Sequence, residues 1–279
     1  MQRTNIQRNL ALLAIGACAN ALAGVAAFAQ APEVALTRIE CGTNRVGTPV
    51  NERFSDIFAY PNLKLDFAFS CYLIKHGNDY MLWDTGFDKN AGPTAPKQTI
   101  VEQLAAMKVT PAQIKFVGIS HFHADHTGQV GSFPDATLLI GSGDWEGITR
   151  KPNPAPGANA AAFTHWTSGG GKVEPQPGDK DVFGDGTVIM LYTPGHTPGH
   201  HSLLVKLAHK GAVILTGDAV HFHENYDKDG VPAFNSDRAQ TLASISRIKQ
   251  LAETLKATVV IQHDIRDIGK VAAVPAMTN

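Results

Sequence analysis

The chain has 279 residues, 43% hydrophobic and 18% charged, with a formal net charge of −1. That length supports one large domain or two small ones with a real core, and that balance excludes a disordered chain. A near-neutral chain carries no electrostatic footprint for nucleic acid, and three cysteines exclude a disulfide scaffold.

Arg3 and Arg8 precede an apolar run from Leu10 to Phe28, which exits through Ala27-Phe28-Ala29 before Gln30. A positive start, an apolar middle and an Ala-x-Ala exit predict a secretory signal peptide over 1–29, cleaved after Ala29. The mature chain, 30–279, is then periplasmic or secreted. Two other readings stay open: a membrane anchor, since the run is about long enough to span, and a lipoprotein, since Ile15-Gly16-Ala17-Cys18 resembles a lipobox that would acylate Cys18. Without lipidation the mature form is expected to have no membrane contact. Cys41 and Cys71 remain in an oxidising compartment, and a disulfide and two buried thiols are equally open.

Strands are expected at Val34–Cys41, Phe67–His76 and Tyr80–Asp84, the last two joined by a turn at His76-Gly77-Asn78-Asp79. Thr110-Pro111-Ala112-Gln113 reads as a helix start with Pro at N1 and a capping-box Gln. Lys115–Ser120 is a short buried strand that delivers His121, and Ala136–Ile140 is another, followed by a helix through Trp145. Residues 151–172, rich in Pro and Gly, read as a long surface loop or lid. Strands resume at Thr187–Tyr192, His201–Lys206 and Val213–Thr216. Asn235 or Ser236 caps a long helix whose stripe of Leu242, Ile245, Ile248, Leu251, Ala252 and Leu255 is core packing. Thr258–Ile261 is the last strand. The order predicts a sheet-on-sheet core with helices outside.

His121-Phe122-His123-Ala124-Asp125-His126 follows directly on a predicted strand. Imidazoles and a carboxylate are what Zn²⁺ takes as ligands. His121 and His123 project to one side of an extended segment, while Asp125 and His126 come from the turn beyond. That geometry suits two neighbouring ions. His196, Asp218 and His263 each sit just after a predicted strand, so they converge on the same sheet edge, and a carboxylate such as Asp218 can bridge two ions. Iron, manganese or cobalt also suit such N/O sites.

The series HxHxDH, PGHTPGH, TGD and a late strand-end His resembles the metallo-β-lactamase superfamily, over nearly all of the chain from Cys41 to His263. Trp83-Asp84-Thr85-Gly86 matches a recurrent turn of that fold. The resemblance implies an α/β fold, a four-layer αββα sandwich, with two zinc ions at its edge. One would take His121, His123 and His196; the other would take Asp125, His126 and His263, with Asp218 bridging.

The runs CGT at 41–43, SCYLIKHG at 70–77, LWDTGF at 82–87, SHFHADHTG at 120–128 and HTPGHHSLLV at 196–205 resemble N-acyl homoserine lactonases. That implies opening of the lactone ring of quorum-sensing signals by a metal-bridging hydroxide, with Asp125 or Asp218 passing a proton to the leaving alkoxide. Two residues depart from the pattern. His221 stands three residues beyond the bridging Asp, where the better-known lactonases carry Tyr, and Ala124 stands where many carry an aromatic. His221 is expected to donate to the oxyanion; a loop histidine is the alternative.

The acyl arm needs an apolar groove. Phe54, Ile57, Phe58 and Tyr60 are candidates in the N-terminal loop, with Trp145, Phe163 and Trp166 near the lid. Phe58, Trp145, His165 and Trp166 are taken as substrate-binding. His76, His200, His201, His209 and His223 read as structural, loop or solvent-facing. A β-lactamase also fits export, but Asp218 argues against it. Aryl-ester, pyridoxolactone and phosphotriester hydrolases share the metal pattern, and a metal-binding protein without hydrolysis is the reading from another class. The expected partner is a small-molecule lactone, and a homodimer is left open.

Overall fold

A computed structural model describes residues 32–279. The leader expected over 1–29, with Cys18, lies outside the described residues. Two sheets stack face to face. The first runs β1 (Val34–Pro49), β2 (Lys64–His76), β3 (Asp79–Trp83), β4 (Ile114–Ile119), β5 (Thr137–Gly141) and β6 (Val173–Gln176) in that spatial order. The second runs β11 (Thr258–Val260), β10 (Gly211–Leu215), β9 (His201–Leu207), β8 (Val188–Tyr192) and β7 (Lys180–Asp181). β1, β2 and β3 are antiparallel neighbours; β3 to β6 pair in parallel.

Side chains alternate along each strand, so each sheet has an inner and an outer face. Leu36, Tyr72, Ile74, Met81 and Trp83 of the first sheet meet Met190, Leu203, Val205, Val213 and Leu215 of the second in one dry layer. The outer face of the first sheet, with Ile39, Leu73, Val117 and Ile119, is covered by α1 (Ile100–Ala106), α3 (Ser142–Thr149) and the turns around Phe163. The outer face of the second, with Leu191, Leu204 and Ile214, is covered by α6 (Arg238–Leu255) through Ile248, Leu251 and Leu255. This is the four-layer αββα sandwich. Each large side chain fully buried in these layers stabilises the fold by about 1.5–3 kcal/mol.

Four local expectations change. β1 continues to Pro49, eight residues past Cys41, because it keeps pairing with Lys64–Ala68 across two register breaks. Thr110 opens only a three-residue 3-10 turn, since Ile114 is at once drawn into pairing with Tyr80. α6 is capped by Asp237, whose side chain accepts the Gln240 N–H, and not by Asn235 or Ser236. Residues 151–172 are not one loose lid: two short helical turns, Ala160–Phe163 and α4 (Thr164–Thr167), bury Phe163 and Trp166 in the outer core. Cys41 and Cys71 form a disulfide with Cα atoms 5.9 Å apart. No helix among the described residues is long and apolar enough to cross a membrane.

Candidate metal centre and its cleft

The ligand-type residues gather where strands end on one edge of the sandwich. β4 delivers His121 and His123, and the single turn of α2 (Ala124–Thr127) delivers Asp125 and His126. The β8–β9 turn brings His196, the 3-10 turn after β10 brings Asp218, and the segment leaving β11 brings His263. They form two groups that share Asp218: His121, His123 and His196 with it, and Asp125, His126 and His263 with it, each group's ligand atoms lying within 4.8 Å of one another.

The donor set fits two cations. His121 Nε2, His123 Nδ1 and His196 Nε2 converge at 2.9–3.1 Å from one another. The vertices of a zinc tetrahedron with 2.0–2.1 Å bonds stand about 3.3 Å apart. In the second group His126 Nε2 and His263 Nε2 are 3.1 Å apart, and Asp125 Oδ2 is 3.6 Å from each. Asp218 Oδ1 lies 2.8 Å from His263 Nε2 yet makes no hydrogen bond, while Oδ2 lies 3.4 Å from His196 Nε2. One oxygen therefore addresses each group.

The opposite ring nitrogens are held, which frees the inward ones. His126 Nδ1 meets Asp84 Oδ2 at 2.8 Å, His196 Nδ1 meets Asn235 Oδ1 at 2.9 Å, and His263 Nδ1 meets the Ala68 carbonyl at 3.0 Å. Asp84 also accepts the Ser120 N–H at 2.7 Å and a Gln262 amide N–H at 2.7 Å, from a left-handed backbone with φ 58° in the Trp83–Gly86 turn. Burial holds His121 and His196 well below the ordinary imidazole value, in the neutral form a metal takes. Burial alone would raise Asp218, but His263, His126, His221 and His121 around it hold its carboxyl well below the carboxylate range. It stays an anion in the interior, as a bridging ligand must.

Two supporting residues carry no signal in the sequence. His200, expected as structural or solvent-facing, is fully buried and accepts the Asp218 N–H at Nε2, 2.9 Å away, while Nδ1 faces the Thr193 carbonyl. Asp144, a lone acid in the first turn of α3, is also fully buried. It accepts the Phe122 N–H (3.1 Å), the Thr197 hydroxyl (2.8 Å) and the Gly199 N–H (2.7 Å). It thus ties the segment between His121 and His123 to the turn that carries His196. The approach needs glycines: a Cβ on Gly141 would stand 1.8 Å from the Gly199 carbonyl oxygen.

A cleft of about 660 Å³ opens over this centre. His123, Asp125, Asp218, His221 and His263 form its floor, and Phe54, Phe67, Phe69, Phe87 and Phe234 its walls. Asn44, Thr48 and Arg53 line it as well, with Pro156 and Gly157 from the 151–159 arch. His221 is buried, its Nε2 3.1 Å from Asp218 Oδ2, and its ring packs against Phe54, Phe234 and His263.

Of the four residues taken as substrate-binding, none lines this cleft. Phe58 is 66% exposed on the surface. Trp145 packs on the outer core and Trp166 is 3% exposed within it; His165 edges onto Trp166. The outer face of the first sheet claims these aromatics, because its apolar surface needs cover. Of the wider groove candidates only Phe54 lines the cleft; Tyr60 packs under Phe222. Phe67, Phe69, Phe87 and Phe234 were missed, since they come from separate segments that only the fold brings together.

A sequence profile described as the metallo-beta-lactamase superfamily matches residues 67–263. The N-acyl homoserine lactonase AttM of Rhizobium radiobacter is 36% identical over 183 residues, 60% of this chain and 64% of that protein. The chain thus covers less than two thirds of that relative. An N-acyl homoserine lactonase of a Bacillus species is 30% identical over 227 residues, 74% of this chain and 84% of that protein. Among solved structures, an N-acyl homoserine lactone hydrolase with the product N-hexanoyl-L-homoserine bound at its catalytic metal centre superposes with a TM-score of 0.69. It is 25% identical and covers 89% of this chain and all (100%) of that one.

Proposed function

The chain belongs to the metallo-β-lactamase superfamily, and we propose that it is a dinuclear zinc hydrolase that opens the ring of N-acyl homoserine lactones. The observation that carries this reading is the join of two features: two ligand groups sharing Asp218, and a phenylalanine-walled cleft that ends on them. The lactonase relatives support the same substrate class. Two bound zinc ions would supply a hydroxide at neutral pH and polarise the ester carbonyl.

This chain's own residues do the rest. Phe54, Phe67, Phe69, Phe87 and Phe234 take the apolar acyl arm and exclude water from the floor. His221, on that floor, presents an imidazole edge to the carbonyl oxygen as it gains charge. Asp125 is half-buried on the cleft floor, whereas Asp218 is wrapped by five histidines, His121, His126, His196, His221 and His263. Asp125 is therefore the carboxylate placed to take up the proton of the attacking hydroxide and pass it to the alkoxide that leaves.

The reading includes export, with cleavage after Ala29 and a mature domain of 30–279. The Cys41–Cys71 disulfide supports an oxidising compartment. N-terminal sequencing of protein recovered from periplasm or medium should begin at Gln30; a chain retained with Met1 in the cytoplasm refutes export.

The deciding experiment is a hydrolysis panel on the zinc-loaded mature chain, with short- and long-chain acyl homoserine lactones, a simple lactone, an aryl ester, nitrocefin and a phosphotriester. Acyl homoserine lactones should be turned over with the highest kcat/KM. Faster turnover of nitrocefin or the phosphotriester would overturn the assignment.

A further inference from the structure

β1 separates two cavities. Past the bulge at Glu40–Thr43 its side chains alternate: Asn44 and Thr48 face the metal cleft, and Thr43 and Arg45 line a second cavity of about 270 Å³. Arg38, Glu40, Ala68, Lys97, Ile265 and Ile268 complete that second cavity. Its charges are unbalanced. Arg38 is only 8% exposed, and its one side-chain hydrogen bond runs from Nε to Ser70 Oγ at 2.8 Å. Among the described residues its two terminal nitrogens have no partner and it forms no ion pair. Glu40 stands near, but its carboxylate oxygens are taken by the N–H groups of Gly42 (2.9 Å) and Lys97 (3.2 Å).

A buried guanidinium without a carboxylate is costly, and proteins normally pair it. Here its free fork faces an opening flanked by two more cations, Arg45 and Lys97. Ile265 and Ile268 supply an apolar side that keeps water from screening the charge. Two parallel N–H donors on a planar fork match the two oxygens of a carboxylate or phosphate.

We propose that this cavity, on the far side of β1 from the metal cleft, is a binding site for a small oxyanion, a phosphoryl or carboxylate group held bidentately by Arg38 and flanked by Arg45 and Lys97. The burial that weakens Arg38's hold on its own proton is offset when such an anion enters. The site touches the catalytic edge through one residue. Ala68 lines the cavity, its carbonyl faces His263 Nδ1 at 3.0 Å, and its N–H donates to the His263 carbonyl at 3.0 Å. The inference does not depend on which substrate the cleft takes.

The test is a titration of the ¹⁵N-labelled, zinc-loaded mature chain with inorganic phosphate and, separately, with acetate. It follows the Arg38 Nε–Hε resonance, assigned with Arg38→Lys. A saturable shift with a Kd of about a millimolar is expected for at least one of the two, and which one responds identifies the group. The surface double variant Arg45→Gln/Lys97→Gln should weaken that binding about tenfold, as loss of charged neighbours does. An Arg38 resonance unmoved by both anions overturns the proposal. So does a titration that moves only the histidines of the metal centre, or an affinity unchanged in the double variant.

Discussion

Asp144 gives the sharpest test of how the fold builds its metal centre. Asp144→Asn keeps shape and one acceptor oxygen but replaces the other with an amide N–H₂. The native carboxylate accepts two backbone N–H groups and one hydroxyl, at 2.7–3.1 Å. Thr197 can turn its hydroxyl round and accept; the N–H of Phe122 or Gly199 cannot, and one of them is left facing a donor. Losing one charge-assisted hydrogen bond and stranding a buried donor costs about 2–4 kcal/mol. That strain falls between His121 and His123 or beside His196, so the site these three form should weaken about 10–100-fold, as for other supporting residues. The site of Asp125, His126 and His263 should hold its affinity.

Stability should respond with a different sign. Burial pushes the Asp144 carboxyl up to about 7, against the opposing pull of its three hydrogen bonds. Between the ordinary value near 4 and pH 7 the folded chain then keeps a proton that the unfolded chain has lost. Its contribution is fully present below pH 4 and is lost as pH rises through 7, by at most about 4 kcal/mol. Asparagine has no such dependence, so the metal-free variant should gain on the parent between pH 4 and pH 7. The assays are competitive zinc chelation at pH 7.5, resolved into two sites, and urea unfolding of the metal-free proteins across that pH range. Equal weakening of both zinc sites, or of neither, refutes the positioning role. A stability difference that is flat with pH refutes the buried proton.

Asp218→Asn should keep the fold and lose turnover by at least about a hundredfold, since an amide cannot neutralise two cations; elemental analysis should find fewer than two zinc ions per chain, and full zinc with unchanged turnover would remove Asp218 from the bridge. His221→Ala should lower kcat about a hundredfold with zinc content unchanged, and His221→Tyr should regain part of it; turnover of His221→Ala within about threefold of the parent would make His221 a bystander. Phe234→Ala should raise KM for long-chain lactones with little change in Tm. Trp166→Ala should do the reverse, costing about 3–5 kcal/mol of stability, and a KM effect from Trp166 without a Tm effect would restore it to the substrate site.

The grouping of the seven candidate ligand residues was readable because each is fixed locally. Four of the seven lie within six residues, His121 to His126, and the others stand three or four residues past a strand recognisable by its apolar run. β8, β10 and β11 all end at the same edge of the second sheet, so spacing and residue type were enough to place His196, Asp218 and His263 together. The cleft was not readable, because no local pattern distinguishes a phenylalanine that walls a pocket from one that fills a core. Phe67 and Phe69 on β2, Phe87 after β3 and Phe234 before α6 share a wall only once three segments have packed, while Trp145 and Trp166 looked equally available and were claimed by the outer face of the first sheet. The same holds for Asp144 and for the Cys41–Cys71 disulfide. A lone acid or an isolated thiol takes its role from partners 22 to 55 residues away, and contacts of that range are set by how whole elements pack, not by the residues around each one.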